Sequence, residues 1–195
     1  MNAAKREYTS EHHDWDLTMR ASSDLLTFGE KTEQRSFSFA GLVGSMLLAV
    51  SALESFLNSL AYKVSEKDGS FPWKTFEKKS LQSKLEDLLN YYSQAIDKGK
   101  RPWQTITKAV SWRNGLVHAK PTLVDPVAID STVDIRKLPK RYVANSQYEP
   151  YEALVTQEWA KKFNQDVIKL IELLIIVSGI NPRAQCSYRI LKNET

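Results

Sequence analysis

Apolar residues recur at intervals of three and four along much of the chain, the spacing of one helical face, and four segments carry that pattern strongly. The first runs from about Phe37 to Ser65. Leu47, Val50, Leu53, Leu57, Leu60 and Val64 share a stripe, and Ser51, Glu54, Asn58 and Tyr62 form a second, polar one. Gly69 and Pro72, in EKDGSFPW, end it. A second helix is expected after Ser80, which can cap it, with Leu81, Leu85, Leu88, Leu89, Tyr92 and Ile96 on one face and Gly99 just past its end.

The third helix is expected to start with Pro102 in its first turn, where a missing N–H costs nothing. Trp103, Ile106, Val110, Arg113 and Val117 lie on one face, and Pro121 prevents the helix from running far beyond His118. The last strong pattern spans about Gln157 to Ser178, capped by Thr156 and ended by Gly179 and Pro182. Its broad apolar surface comprises Trp159, Phe163, Val167, Ile168, Leu170, Ile171, Leu174, Ile175 and Val177.

Between the third and last helices, residues 119–155 change character. Pro121, Pro126, Pro139 and Pro150 punctuate short β-like runs, which predicts a partly β insertion. Residues 1–35 are polar with scattered large apolar side chains and are expected to be an extension with one docked helix; residues 183–195 read as a tail. The predicted fold class is therefore all-α: a bundle of about four core helices spanning 36–182, with an insertion before the last.

Composition narrows the function classes. At 195 residues with 42% hydrophobic content the chain is large enough for one cored domain, and a formal charge of +4 favours an anionic partner. Cys186 is the single cysteine, so no internal disulfide is possible, and the three histidines do not have the spacing of a metal site. Adjacent His12 and His13 sit in a polar stretch and read as surface residues. No cofactor motif is present: Gly41 and Gly44 fall inside a helical pattern, not after a strand. The expected compartment is cytoplasmic, since the first residues lack the apolar run of an export signal. Ser36 to Leu53 runs 18 residues without a charge, but four serines and two glycines in it favour a buried core helix over a membrane span.

The chemistry concentrates in SWRNGLVHAKP, residues 111–121. Asn114 and His118 are four apart and share a helical face, whereas Arg113 and His118 diverge by roughly 140°. Asn114 can hold the imidazole. Arg113 joins it by reach, by distortion near Gly115, or from a second copy across a dimer axis. A histidine exchanges protons near neutral pH and an arginine matches phosphate oxygens, a pairing suited to RNA cleavage by internal 2′-OH attack without a metal. From Lys98 to Val124 there are cations, Lys98, Lys100, Arg101, Lys108, Arg113 and Lys120, and no carboxylate, which predicts an RNA-binding surface. RKLPKR, with Arg136, Lys137, Lys140 and Arg141, adds a second basic cluster.

At these residues the chain resembles the HEPN superfamily, α-helical domains that include metal-independent RNases of bacterial toxin, anti-phage and RNA-processing systems. RNGLVH matches the family's R-x4-H signature; SALESFLNSLAY resembles its first core helix with an acidic residue, here Glu54; SLQSKLEDLL resembles the next helix, here with Lys84. The resemblance covers roughly residues 40–180. It implies Arg113 and His118 as catalytic residues in a cleft between two protomers, Asn114 as their positioner, and Glu54, with Asn58 a turn later, as support. It also implies RNA as substrate, a homodimer, and an antitoxin or defence-system protein as a further partner. In one toxin subgroup a tyrosine two positions after the histidine is modified by a partner enzyme; here Lys120 stands there.

Two other classes stay open on the sequence. The same cleft can hold a nucleotide or RNA without cutting it, and the apolar surface of residues 157–178 can serve a protein-interaction bundle. Taken singly, Arg113 reads as a surface arginine, His118 as a histidine favoured by a helix C-terminus, and Trp103, Trp112 and Trp159 as core.

Overall fold

The computed structural model describes residues 6–11, 13–117, 151–183 and 185–190. Six helices are found there: α1 (Trp15–Lys31), α2 (Arg35–Lys67), α3 (Trp73–Phe76), α4 (Leu81–Tyr91), α5 (Trp103–Val117) and α6 (Gln157–Ser178). The packed body is all-α. Two short strands, β1 (Arg6–Glu11) and β2 (Gln185–Ile190), pair antiparallel from opposite ends of the chain, with Tyr8 opposite Tyr188. Apart from its end, where a 3-10 turn covers Tyr151–Leu154, the expected β-like insertion lies outside the described residues.

The centre is α2, a 33-residue helix about 50 Å long, against which each of the other helices packs. Its middle is buried on several sides, not only along the expected stripe: Met46, Ala49, Ala52, Phe56 and Ala61 join Val50, Leu53, Leu57 and Leu60 in the core. Among the described residues α2 is the one helix long and apolar enough to cross a bilayer, and burial by its neighbours accounts for much of that apolar run. The first turn is more open, with Phe37 and Phe39 exposed.

Helix ends follow local chemistry. The Ser80 hydroxyl accepts the Ser83 N–H, the Thr156 hydroxyl accepts the Trp159 N–H, and Gly179 closes α6 at φ 64°. The second expected helix stops short: α4 ends at Tyr91, so Ile96 and Gly99 belong to a loop. The cause is Ser93 at φ 54°, which lets the Gln94 N–H reach the Leu89 carbonyl and the Ser93 N–H reach the Asn90 carbonyl. That is a Schellman closure built on serine where glycine is the usual residue.

Within residues 1–35, where one docked helix was expected, α1 packs against α2 and α6. Trp15 and Met19 of α1 are buried, and Trp15 meets Phe56 edge to face at 5.1 Å. The Trp15 Nε1–H donates to the Pro182 carbonyl, which ties the start of α1 to the chain beyond α6. His13, expected on the surface, is buried, two residues before α1 begins, where the chain joins the buried Trp15 end of that helix. The C-terminal tail, likewise, contributes β2; neither strand has a pattern of its own because each completes the other. Ile168, expected on the inner face of α6, is exposed.

Two contacts lock α1, α2 and α6. The buried Ser22 hydroxyl donates to Asn164 Oδ1 (2.6 Å) and lies 2.8 Å from the Ser45 carbonyl, while the Asn164 amide donates to Ser45 Oγ (2.9 Å) and the Ala160 carbonyl (3.0 Å). Near the α1–α2 turn the two backbones approach closely through Gly29 and Gly41. A methyl on Gly41 would sit 2.9 Å from the Gly29 backbone, whereas one on Gly44 would meet only the end of the Leu25 side chain, at 2.8 Å.

This asymmetry generates a prediction. Gly41→Ala should destabilise the fold, because overpacking against a backbone costs about 1–3 kcal/mol and offsets the ~1 kcal/mol gained in helix propensity. Gly44→Ala should be neutral or stabilising, since the Leu25 side chain can move aside. Urea unfolding of both variants checks it; a Gly41→Ala midpoint equal to wild type would show that the helices separate at no cost.

Candidate functional site

Arg113 lies near the end of α5, on the side that faces α2. Its Nη1 is 3.4 Å from Glu54 Oε2, and the other carboxylate oxygen, Oε1, is 3.5 Å from Lys84 Nζ on α4. One carboxylate from the polar stripe of α2 is thus shared by two cations from two other helices. Both separations exceed the 2.7–3.2 Å of a well-made N–H···O bond. The trio carries one net positive charge at partial burial: side-chain exposure is 3% for Lys84, 27% for Arg113 and 32% for Glu54.

Polar capacity is left over here. Arg113 Nε is buried without a hydrogen-bond partner among the described residues, and so is Oδ1 of Asn58, one turn beyond Glu54 on α2. Asn114, next in sequence to Arg113, points about 100° away and is exposed, with no hydrogen bond among the described residues. His118 and Lys120 lie outside the described residues, as do Arg136, Lys137, Lys140 and Arg141. The structure therefore brings together Arg113 and Glu54, sets Asn58 one turn further on α2, and adds Lys84.

The cation-rich segment is less free than its sequence suggests. Lys98 pairs with Glu86 of α4 and lies 5.3 Å from the Trp103 ring, and Lys100 pairs with Asp97 at 3.3 Å. Arg101 is committed to the buried Asp166 of α6 by two bonds, Nε to Oδ2 at 2.8 Å and Nη2 to Oδ1 at 2.9 Å. This bonding holds the guanidinium above its ordinary pKa. Arg101 is accordingly a structural residue here. Lys108, over the Trp159 ring at 5.1 Å, has no carboxylate partner among the described residues. Trp103 and Trp112 are buried and Trp159 is partly so, which leaves them in the core.

Two charged residues stand on otherwise apolar helix faces: Lys84, which the resemblance had singled out, and Asp166, which the sequence reading missed. Lys84 stands at a core position of α4, between Leu81 and Leu88 on the face that carries Leu85, and Asp166 stands likewise among Phe163, Val167 and Leu170 of α6. A charge on an apolar stripe signals a partner elsewhere, although the partner's identity is not encoded locally.

Among the described residues no group of histidine, cysteine and carboxylate side chains could hold a metal ion. A cavity of about 690 Å³ at the start of α2, lined by Arg35, Ser36, Ser38, Phe39, Leu42 and Val155, shares no residue with the Arg113 cluster. No protein-family model, no curated protein and no solved structure matches the chain. The functional argument therefore stands on these residues.

Removing Arg101 should test its structural role. Arg101→Ala should lose about 3 kcal/mol of stability, the low end for orphaning a buried carboxylate, because solvent reaches the arginine side of the pair. Lys100→Ala should lose less than about 0.5 kcal/mol. Denaturant unfolding separates the two, and equal stabilities would remove Arg101 from the structural set.

Proposed function

We propose that the chain is a metal-independent endoribonuclease of HEPN type whose active cleft is shared between two copies. The observation that best supports this is the condition of Arg113: loosely held by Glu54, with a buried unpartnered Nε–H, five positions before His118. An arginine in that condition is ready to receive phosphate oxygens.

In the proposed reaction the ribose 2′-OH attacks the adjacent phosphorus and the 5′ oxygen leaves, which produces a 2′,3′-cyclic phosphate. His118 of one copy takes the 2′-OH proton and His118 of the other protonates the leaving oxygen. Arg113 neutralises the charge that gathers on phosphorus, Asn114 orients the imidazole, and Glu54 and Asn58 support Arg113. Among the surface cations Lys108 is best suited to guide the strand, since Lys98 and Lys100 already face carboxylates.

The two-copy arrangement is what the HEPN resemblance implies, and the spacing of the two residues is compatible with it. Arg113 and His118 diverge by roughly 140° on one ideal helix, so they surround a phosphate most directly when they come from different chains. Val117, one turn from Arg113 on its face and 60% exposed, is where such a contact would begin. A second reading draws on the same loose pairing of Arg113: the cleft binds a phosphate-bearing ligand and does not cut it.

Incubation with single-stranded RNA in EDTA separates these readings. Wild type should yield fragments ending in 2′,3′-cyclic phosphate, and His118→Ala should lower the rate by about 10²–10⁴-fold while leaving affinity nearly unchanged. RNA that is bound but uncut by wild type would favour the binder. Val117→Asp should shift the chain toward monomer in light-scattering measurements and lower cleavage in parallel; monomeric wild type that cleaves normally would reject the shared cleft.

A further inference from the structure

Lys84 has no part in that chemistry, yet its side chain is 3% exposed, and an ammonium so deeply buried requires compensation. Its partner, Glu54 Oε1 at 3.5 Å, belongs to the carboxylate that also faces Arg113. We propose that Lys84 is a positioning residue: it draws Glu54 away from Arg113 and so keeps the guanidinium available for a phosphate. This rests on reading Arg113 as the phosphate-binding group.

The molecule contains its own comparison. Where one carboxylate faces one arginine, as Asp166 faces Arg101, the pair closes into a two-bond fork at 2.8 and 2.9 Å. Where Lys84 competes for the carboxylate, Arg113 keeps a single contact at 3.4 Å and its Nε–H stays unpartnered. A closed fork would leave an incoming phosphate to break two charge-assisted bonds before it could bind. The divided carboxylate removes that obstacle and still offsets part of the cationic repulsion between Lys84 and Arg113 in the empty cleft. Lys84 thus acts through Glu54, without touching the substrate.

The test measures binding apart from cleavage, with the full chain and two probes: a fluorescent 2′-O-methyl oligoribonucleotide, which lacks the attacking hydroxyl, and inorganic pyrophosphate as its competitor. Lys84→Met should weaken binding of both about three- to tenfold, and Glu54→Gln, which keeps an acceptor for Lys84, should strengthen it by a similar factor. In the Glu54→Gln background Lys84→Met should change affinity less than about twofold, because the divided carboxylate is gone. Equal weakening in both backgrounds would mean that Lys84 contacts phosphate directly and would overturn the proposal. So would binding by Glu54→Gln no tighter than wild type, a result that holds even if Lys84→Met fails to fold, or a wild type that binds neither probe. If these shifts appear while ordinary RNA stays uncut, the nuclease reading fails and the role of Lys84 stands.

Discussion

A carboxylate placed in the middle of an apolar helix has to be compensated, and Glu54 is that carboxylate. It is the one charged residue of α2 between Arg35 and Lys63, on the helix against which each of the others packs. The compensation comes from α4 and α5, which deliver Lys84 and Arg113 to its two oxygens. Lys84, the most deeply buried of the three, ties α4 to α2, because an ammonium that left its carboxylate would be stranded in the core. Replacing such a trio by apolar residues often stabilises a fold. Stability alone therefore does not explain its presence, and the proposed role of Arg113 in holding a phosphate supplies a use for the charges.

The other side of α2 is built on opposite terms. There Ser22, Ser45 and Asn164 match donors to acceptors at 2.6–3.0 Å, and Gly29 and Gly41 let two backbones touch. Neutral, fully paired networks of this kind rigidify the helices that share them. On the Glu54 side, by contrast, Arg113 Nε and Asn58 Oδ1 are buried without partners among the described residues. One long helix thus has a saturated face that holds the bundle together and an unsaturated face that can accept something else. The rigid face lets the open one keep its geometry, since α2 is anchored independently of the charges it presents.

Much of the helical framework was legible because its signals are local. Ser80, Thr156 and Gly179 cap helices by bonds to residues within a turn, and the stripes of α2, α4 and α6 follow from period alone. Features that needed a distant partner were not legible. Nothing near Arg101 in sequence points to Asp166, and nothing in the first or last dozen residues announces that they pair. The end of α4 was missed for another reason: Ser93 adopts a left-handed conformation that sequence reading expects of glycine. At the candidate site, the spacing of Arg113, Asn114 and His118 drew attention to them, and their roles, like that of Glu54, came from the resemblance to the HEPN signature and first core helix. Lys84 was singled out by the resemblance of SLQSKLEDLL, but not as a partner of Glu54, because that pairing depends on the docking of α4.

The same distinction bears on which charges can set the position of an RNA strand. Among the described residues, folding brings Glu86 and Asp166 beside part of a run of cations that has no acids in sequence. Exposed pairs such as Lys100 with Asp97 are worth about 1 kcal/mol or less and are screened by salt, so a phosphate backbone can exchange with them readily and gain little orientation. Arg113 differs because it is partly buried, where screening is weaker and a charge-assisted contact is stronger. Under the proposed function, exposed lysines attract a strand from a distance, and its register is decided where the seam between α2 and α5 holds a guanidinium by a single long contact. On that proposal affinity and placement come from different parts of the surface, the smaller part setting where the phosphate sits.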